Sequence, residues 1–471
     1  MNAWFPRVTA HSLVVATSVL IYVLTTRVER ERRPPSIAIA WVLGMIALPY
    51  LALPMYLLFG RRKLPRKVLR GCGSGMGGRH WAEDLIESFG LALSAPCSVR
   101  LHRNGGESAA ALFATMASAI QRLDVCTYIL GDDAFGREAM KCMIERARRG
   151  VQVRFLIDGV GAVQLPSACL RDLNLAGIET AIFSPLLARK TQGPRNLRNH
   201  RKMTIADGTR LWAGGRNIAA EYFTGLDGAA PWLDLSFDLQ GEVATAAASQ
   251  FEADWVAAGG RPAAIPATPA IPATAAIPAT AAPGAAAPVP EPVVGRAQFL
   301  PSGPDQAEDT VHALLIDACF HARERLLAVT PYFVPDASLE TAIRLAARRG
   351  VKIDLCIPAV SNHRLADFAR NRALRALGNA GVNIHLLPYM IHAKAVVFDE
   401  SLALSGSVNL DSRSLLLNYE CAVVFYGSRE IDWLANWVQV LIPGAQPFDC
   451  RAPSLWRDLG EGLLLTVAYQ L

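Results

Sequence analysis

Hydrophobic and polar positions change their spacing several times along this chain of 471 residues. The start is almost continuously apolar. Ser36 to Phe59 reads SIAIAWVLGMIALPYLALPMYLLF, 24 residues without a formal charge, long enough as a helix to cross a hydrocarbon core of about 30 Å. Pro49 and Pro54 are better tolerated in a spanning helix than in water. A shorter apolar run, Ser12 to Thr26, reaches spanning length once Val8 and His11 are included. The pattern predicts a transmembrane helical hairpin within an anchor at residues 1–70, with helices at about 8–26 and 36–59. A cleaved leader is the rival reading of the first run, since Arg7 precedes it. That run ends in Thr25, Thr26 and Arg27 rather than at a small-residue cleavage site, and a second apolar run follows at once.

Further along, short apolar strands alternate with amphipathic helical stretches, which predicts a layered α/β fold. The alternation occurs twice. ARRGVQVRFLID, starting at Ala147, matches ARRGVKIDLCIP, starting at Ala347. In both, a helix meets glycine at its end and an apolar strand begins. This predicts two similar α/β domains, 96–260 and 297–471, related by a pseudo-twofold. Between them, residues 261–296 are almost pure Ala, Pro, Thr and Val, with IPAT repeated at Ile265, Ile271 and Ile277. Regular prolines remove donors and favour extended conformations, so this stretch reads as a semi-stiff tether.

Composition supports the anchor: 52% of residues are hydrophobic and the mean hydropathy is +0.23. Arg61, Arg62, Lys63, Arg66, Lys67 and Arg70 follow the second run with no acid among them, the pattern of a cytoplasmic flank facing anionic lipid. Arg27, Arg30, Arg32 and Arg33 between the runs weaken that orientation argument. The nine cysteines are odd in number and scattered, and read as buried thiols in a reducing compartment. No pair has zinc-ligand spacing, so no metal is expected.

The chemistry lies in a motif that recurs in both halves. HRKMTIAD gives His200, Lys202 and Asp207; HAKAVVFD gives His392, Lys394 and Asp399. On an extended chain, alternate residues share a face, so each histidine points the same way as its lysine. Asp207 and Asp399 fall at strand ends, where Asp207-Gly208 suits a hairpin turn. With only seven lysines in the chain, one complete match would arise by chance in fewer than about one such chain in a hundred. Each motif leads to a small-residue turn ending in asparagine: Gly214, Gly215 and Asn217, then Gly406, Ser407 and Asn409. Glycine allows close backbone approach, and the amide or hydroxyl can donate to a phosphate oxygen. His80, His102, His312, His321, His363 and His385 lack a repeated partner and read as structural or surface residues.

Two His-x-Lys-(x)4-Asp motifs followed by these turns resemble the phospholipase D superfamily. The flanks are similar to bacterial cardiolipin synthases: RNHRK at Arg198, WLD at Trp232, TPYFVPD at Thr330, GSVNLDSRSLLLNYE at Gly406, and YLLFGRR at Tyr56. The tether departs from the usual pattern. The resemblance implies one active site built from His200, Lys202, Asp207, His392, Lys394 and Asp399. One histidine would attack phosphorus while the other protonates the leaving oxygen; attack is assigned to His200, although the motifs are nearly equivalent. Asn217, Ser407 and Asn409 would bind phosphate, and Asp207 and Asp399 would brace the site. Asp234 and Glu420, by their position after each motif, would orient the rings. Tyr332 and Phe333 line a lipid entrance or belong to the core.

The implied reaction moves a phosphatidyl group between two phosphatidylglycerol molecules with release of glycerol, without a cofactor. It would take place at a bacterial inner membrane with the catalytic domains cytoplasmic. The expected partners are phosphatidylglycerol, other anionic phospholipids and the bilayer. A hydrolase releasing phosphatidic acid uses the same residues. A nuclease on the same motif, for which a net charge of +6 leaves room, fits the anchor less well, and no nucleic acid is expected. Oligomeric state and the identity of the second alcohol stay open.

Overall fold

The structure, a computed structural model, describes residues 5–28, 35–60, 79–186, 196–226, 228–262 and 293–465. A mixed sheet of 15 strands organises both halves. The first half supplies β1 (Ala95–His102), β2 (Arg122–Thr127), β3 (Gln152–Asp158), β4 (Glu179–Phe183), β5 (Met203–Ala206), β6 (Arg210–Gly214) and β7 (Ser236–Gly241). The second supplies β8 (Val293–Ser302), β9 (Arg325–Val329), β10 (Phe333–Val334), β11 (Lys352–Pro358), β12 (Asn383–Leu387), β13 (Ala395–Phe398), β14 (Leu402–Gly406), β15 (Leu410–Asp411), β16 (Glu420–Phe425) and β17 (Gln446–Pro447). β10 and β15 pair separately as a short two-stranded sheet.

Strand order shows the duplication. Outwards from β1 run β7, β6, β5, β2, β3 and β4; outwards from β8 run β16, β14, β13, β9, β11, β12 and then β17. The two central strands pair antiparallel, Cys97 opposite Gly295. A twofold axis through the seam demands such a pair, because it maps each strand onto its reversed neighbour. The two α/β domains therefore share one continuous sheet.

The repeated sequence explains the local structure. The helix Ala134–Arg148 connects parallel β2 and β3, and Ala337–Arg348 connects parallel β9 and β11. Asp133 and Asp336 cap their N-termini, accepting from Gly136 N (2.8 Å) and Ser338 N (3.0 Å). Gly150 and Gly350, at φ 83° and 97°, end them in the left-handed region that glycine enters freely. Phe135, Ala139 and Met143 bury one face of the first helix, and Leu339, Ile343 and Ala346 one face of the second. β3 and β11 are buried at every position but their first, as strands covered by helices on both faces must be.

One core layer spans the seam. It joins Phe237 of β7 to Phe425 of β16, edge-to-face at 5.6 Å, and includes Phe251 and Trp255 of the helix Glu242–Ala257 with Leu434 and Val438 of the helix Ser428–Gln439. Burial of such side chains contributes about 1.5–3 kcal/mol each. Two further clusters fill the opposite face, one per half.

The N-terminal segment differs from expectation. It forms α1 (Phe5–Val28), α2 (Pro35–Ala47) and α3 (Pro49–Phe59), so the expected continuous helix over 36–59 is broken at Leu48 (φ −137°, ψ 56°). Pro49 is the cause, because its ring disfavours helical geometry in the residue before it. Among the described residues no helix is long and apolar enough to cross a membrane; both ends of the expected first span lie outside the described side chains. Tyr56 packs against Tyr22 and Trp41, with both pairs of ring centroids at 5.2 Å, and its hydroxyl lies 2.6 Å from Thr25 Oγ1. After the basic stretch 61–78, which lies outside the described residues, α4 (Trp81–Ser88) sends Ala82 and Ile86 into the core of the second half. The tether lies outside the described residues over 263–292, and Cys72 lies outside them too. The eight described cysteines are free, five of them buried.

Candidate active site

Backbone pairing across the two halves builds the site. His200 N donates to Tyr419 O (2.8 Å) and Tyr419 N to Arg198 O (2.9 Å). His392 N donates to Leu233 O (2.7 Å) and Leu233 N to Met390 O (3.2 Å). These two isolated parallel bridges, Asn199 with Tyr419 and Leu233 with Ile391, set each motif histidine beside the residue that follows its partner in the other half.

Those following residues are Glu420 and Asp234. His200 Nδ1 lies 2.9 and 3.1 Å from the two carboxylate oxygens of Glu420, and His392 Nδ1 lies 2.7 Å from Asp234 Oδ2. The pairing is crossed: each half supplies a histidine and the carboxylate that holds the other half's histidine. With Nδ1–H donated to a carboxylate, Nε2 keeps its lone pair, which is the tautomer a nucleophile or proton acceptor needs.

Both lysines are buried here. Lys202 Nζ donates to His200 O at 2.6 Å. Lys394 Nζ lies against the ring of His392, 2.7 Å from Nδ1 and 3.0 Å from Nε2. The turn residues divide unequally. Asn217 donates to Tyr222 Oη (2.8 Å) and accepts from Ile129 N (3.3 Å), whereas Asn409 keeps a buried Oδ1 without a partner among the described residues. Ser407 is engaged by the other half's histidine partner: its hydroxyl donates to Glu420 Oε2 and accepts from Cys421 N (3.0 Å).

Asp207 and Asp399 lie just past the ends of β5 and β13, where the strands lead away from His200 and His392. Each adopts φ 50° at the far end of its strand. Asp207 accepts three backbone donors, Ile120 N (2.9 Å), Gln121 N (2.8 Å) and Arg122 N (2.8 Å). Asp399 accepts Arg323 N (3.0 Å), Glu324 N (2.9 Å) and Arg325 N (2.8 Å). They tie β5 to the start of β2 and β13 to the start of β9, and so fix the strands that lead from the histidines. Tyr332 is half-buried against His363 at 5.0 Å, and Phe333 is in the core.

The family described as "Cardiolipin synthase, PLD-like domain" matches residues 112–255 and 315–442, together more than half of the chain. The chain belongs to this branch of the phospholipase D superfamily. A second family, "Phospholipase D-nuclease N-terminal", matches residues 14–61. Cardiolipin synthase A of Pseudomonas aeruginosa is 31% identical over 438 residues, covering 88% of this chain and 85% of that protein. Cardiolipin synthase A of Pseudomonas fluorescens is 29% identical and covers 81% of each chain. The crystal structure of phosphatidylserine synthase from Haemophilus influenzae shares the fold, with a TM-score of 0.59, 12% identity, and coverage of 83% of this chain and 100% of that one.

Electrostatics makes the two phospholipase D motifs one site. Burial, opposed by Glu420, holds His200 down to about 4. Burial and the Lys394 ammonium hold His392 down to about 3. Each ring also feels the lysine of the other motif. Burial brings Lys202 to about 7 and Lys394 to about 8. Burial pushes both carboxyls up, but Lys394 and His392 outweigh it at Asp234, and His200 and Lys202 outweigh it at Glu420. Both end below the ordinary carboxylate range.

Three residues of the site escaped the sequence argument. Arg201, between His200 and Lys202, is fully buried; it donates to Glu420 O (2.9 Å), Ser302 O (3.1 Å), Asp254 and Asp305. Tyr128 stands edge-on to His200 at 5.0 Å, and Tyr222 edge-on to His392 at 5.0 Å. A signal for Arg201 was present, since the second motif has Ala393 in its place.

Proposed function

We propose that this protein is a membrane-bound phosphatidyltransferase that makes cardiolipin from two molecules of phosphatidylglycerol and releases glycerol. The observation that carries this reading is the crossed arrangement of His200–Glu420 and His392–Asp234 around Lys202 and Lys394. Neutral His200 Nε2 attacks phosphorus, and the bond to the departing glycerol oxygen breaks as His392 gives that oxygen a proton. The hydroxyl of the second lipid then returns a proton to His392, its oxygen attacks phosphorus, and the P–Nε2 bond breaks. The arriving phosphodiester raises the proton affinity of both rings, and the mechanism requires that the one proton be carried by His392, beside the leaving oxygen, rather than by His200. His200 takes the nucleophilic role because its side chain is 13% exposed against 4% for His392. Lys202, Lys394 and the Asn409 amide supply fixed charge and donors to the phosphoryl oxygens.

The lipid setting comes from α1 to α3. Leu13, Leu20, Ile39, Leu43, Leu48 and Leu51 are each more than half exposed, an apolar surface larger than a water-facing one carries. These helices sit in the bilayer in this reading, with the catalytic halves on the basic, cytoplasmic side of a bacterial inner membrane. The protein in vesicles with labelled phosphatidylglycerol should yield cardiolipin and free glycerol in equal amounts. Phosphatidic acid as the sole product would overturn transfer in favour of hydrolysis.

A further inference from the structure

The two sides of the site differ where the duplication would make them equal. Two and four residues before His200 stand Arg198 and Asn196; the same places before His392 hold Met390 and Pro388. Four residues after Asn409 stands Arg413, where the residue after Asn217 is Glu221. The three polar groups on the His200 side lie together. Arg413 Nη2 donates to Asn196 O across the two halves at 2.8 Å. Arg198 donates to Asp158 Oδ1 (3.2 Å) and Ser184 Oγ (2.6 Å). The Asn196 side chain is 94% buried by its residue exposure of 6%, and neither its Oδ1 nor its Nδ2 has a partner among the described residues. Tyr128, whose ring stands edge-on to His200 at 5.0 Å, is close enough to feel the charge of both arginines. Two guanidinium groups, one of them paired with the Asp158 carboxylate, and an unsatisfied amide thus lie on the Tyr128 side of the nucleophile.

We propose that Arg413, Arg198 and Asn196 form an anion subsite that holds the phosphate of the accepting alcohol. The proposal rests on the phosphatidyl-transfer reading and deepens it. An acceptor with its own phosphate a glycerol's length from its free hydroxyl is anchored on the His200 side and presents that hydroxyl to the phosphohistidine. The hydroxyl oxygen then forms a bond to phosphorus, the P–Nε2 bond breaks, the proton goes to His392, and the acceptor's own phosphate ester stays intact. Arg198 is buried and Arg413 half-buried, and guanidinium groups so placed bind an incoming anion more strongly than exposed ones, since less water competes. The subsite selects phosphorylated alcohols over neutral ones, and this favours transfer to an anionic lipid over transfer to water.

The test uses the full chain in phosphatidylcholine vesicles with labelled phosphatidylglycerol as donor. Glycerol and glycerol 1-phosphate compete as soluble acceptors, and cardiolipin is followed in the same mixture as the lipid arm. Wild type should prefer glycerol 1-phosphate. Arg413→Met should lower the ratio of the two products by about tenfold, the worth of one charge-assisted hydrogen bond, and lower cardiolipin relative to glycerol exchange to a similar degree. Arg413→Lys should recover part of the ratio. Both acceptors meet the same enzyme, so any loss of folded protein cancels. A wild type without preference, or a ratio unchanged in Arg413→Met, overturns the subsite while leaving transfer intact. A shift for soluble glycerol 1-phosphate alone, with cardiolipin unaffected, overturns the lipid assignment. Transfer to water only, in wild type, overturns the transferase reading and the subsite with it.

Discussion

The ground beneath the two histidines is built of different materials. Below His200, Arg201 joins Asp254 and Asp305, and Asn199 and Gln250 close the network onto Asp254 at 3.1 and 3.0 Å. Below His392 the same places are taken by Ile391 and Ala393, fully buried in the apolar core. The carboxylates follow the same division. Glu420 is held by Ser407 and by Ser414 (2.9 Å). Asp234 faces Gly215, where any Cβ would collide with its carboxylate. Alternation along an extended chain explains how this can be: His and Lys share the face toward the candidate site, and the residue between them faces the other way. The pseudo-twofold holds the reactive face constant and leaves the opposite face free to diverge, so two copies of one motif can take two roles.

The sharpest way to break the equivalence is to remove each histidine in turn. His200→Ala should abolish transfer and leave no phosphorus label on the protein. His392→Ala should slow turnover by about 10²–10⁴-fold yet still let label accumulate on His200 when the donor carries a leaving group that needs no proton. Label on His200→Ala but not on His392→Ala would exchange the two roles. The next largest effect lies underneath. Arg201→Met leaves buried Asp254 and half-buried Asp305 without their cation, which should cost about 3–5 kcal/mol in denaturant unfolding. Adding Asp254→Asn and Asp305→Asn should recover much of that loss. If Arg201→Met unfolds like wild type, the network carries no stability and the contrast with Ala393 is one of composition only.

The paired motifs, their lysines, the turn asparagines and the duplicated α/β unit could be read from the chain, because each rests on local spacing that repeats. The crossing of Glu420 to His200 and Asp234 to His392 could not, since spacing within one half says nothing about which half a carboxylate will meet. For Asp207 and Asp399 the repeated spacing inside the motif fixes a place on the strand, and their backbone partners at the starts of β2 and β9 follow only from the fold. The hydrogen bond from Ser407 to Glu420 also depends on the fold, since the two lie 13 residues apart, one just past β14 and the other on β16. The break at Leu48 was signalled by Pro49 and was outweighed by the length of the apolar run.

A smaller effect separates the two turns. Ser407→Ala removes one hydroxyl from Glu420 and should cost about 1–3 kcal/mol, with a modest loss of turnover that Ser407→Thr partly restores. Gly215→Ser, which copies the second turn into the first, should do worse, because the added side chain meets the Asp234 carboxylate rather than filling space. Equal tolerance of both changes in turnover assays would mean that the two carboxylates are held alike.

The smallest effect is a titration. Both rings are neutral at neutral pH, so in a histidine-labelled NMR series neither His200 nor His392 should titrate between pH 5 and 8, where an unperturbed ring does so near 6.5. The two should then respond differently to loss of their own lysine. At His392 the charge that matters most after burial is Lys394, which lowers it, so Lys394→Met should move its titration clearly upward from about 3. At His200 the larger charge is Glu420, which raises it, so Lys202→Met should move it less from about 4. The same shifts fix the sign of stability against pH. An unfolded chain binds these two protons near 6.5 and the folded one does not, so the stability they confer is complete above pH 6.5. It is lost as pH falls through about 4 and about 3. Equal shifts in the two lysine variants would show that the halves share their electrostatics as well as their backbone, and that their division of labour is set by the substrate.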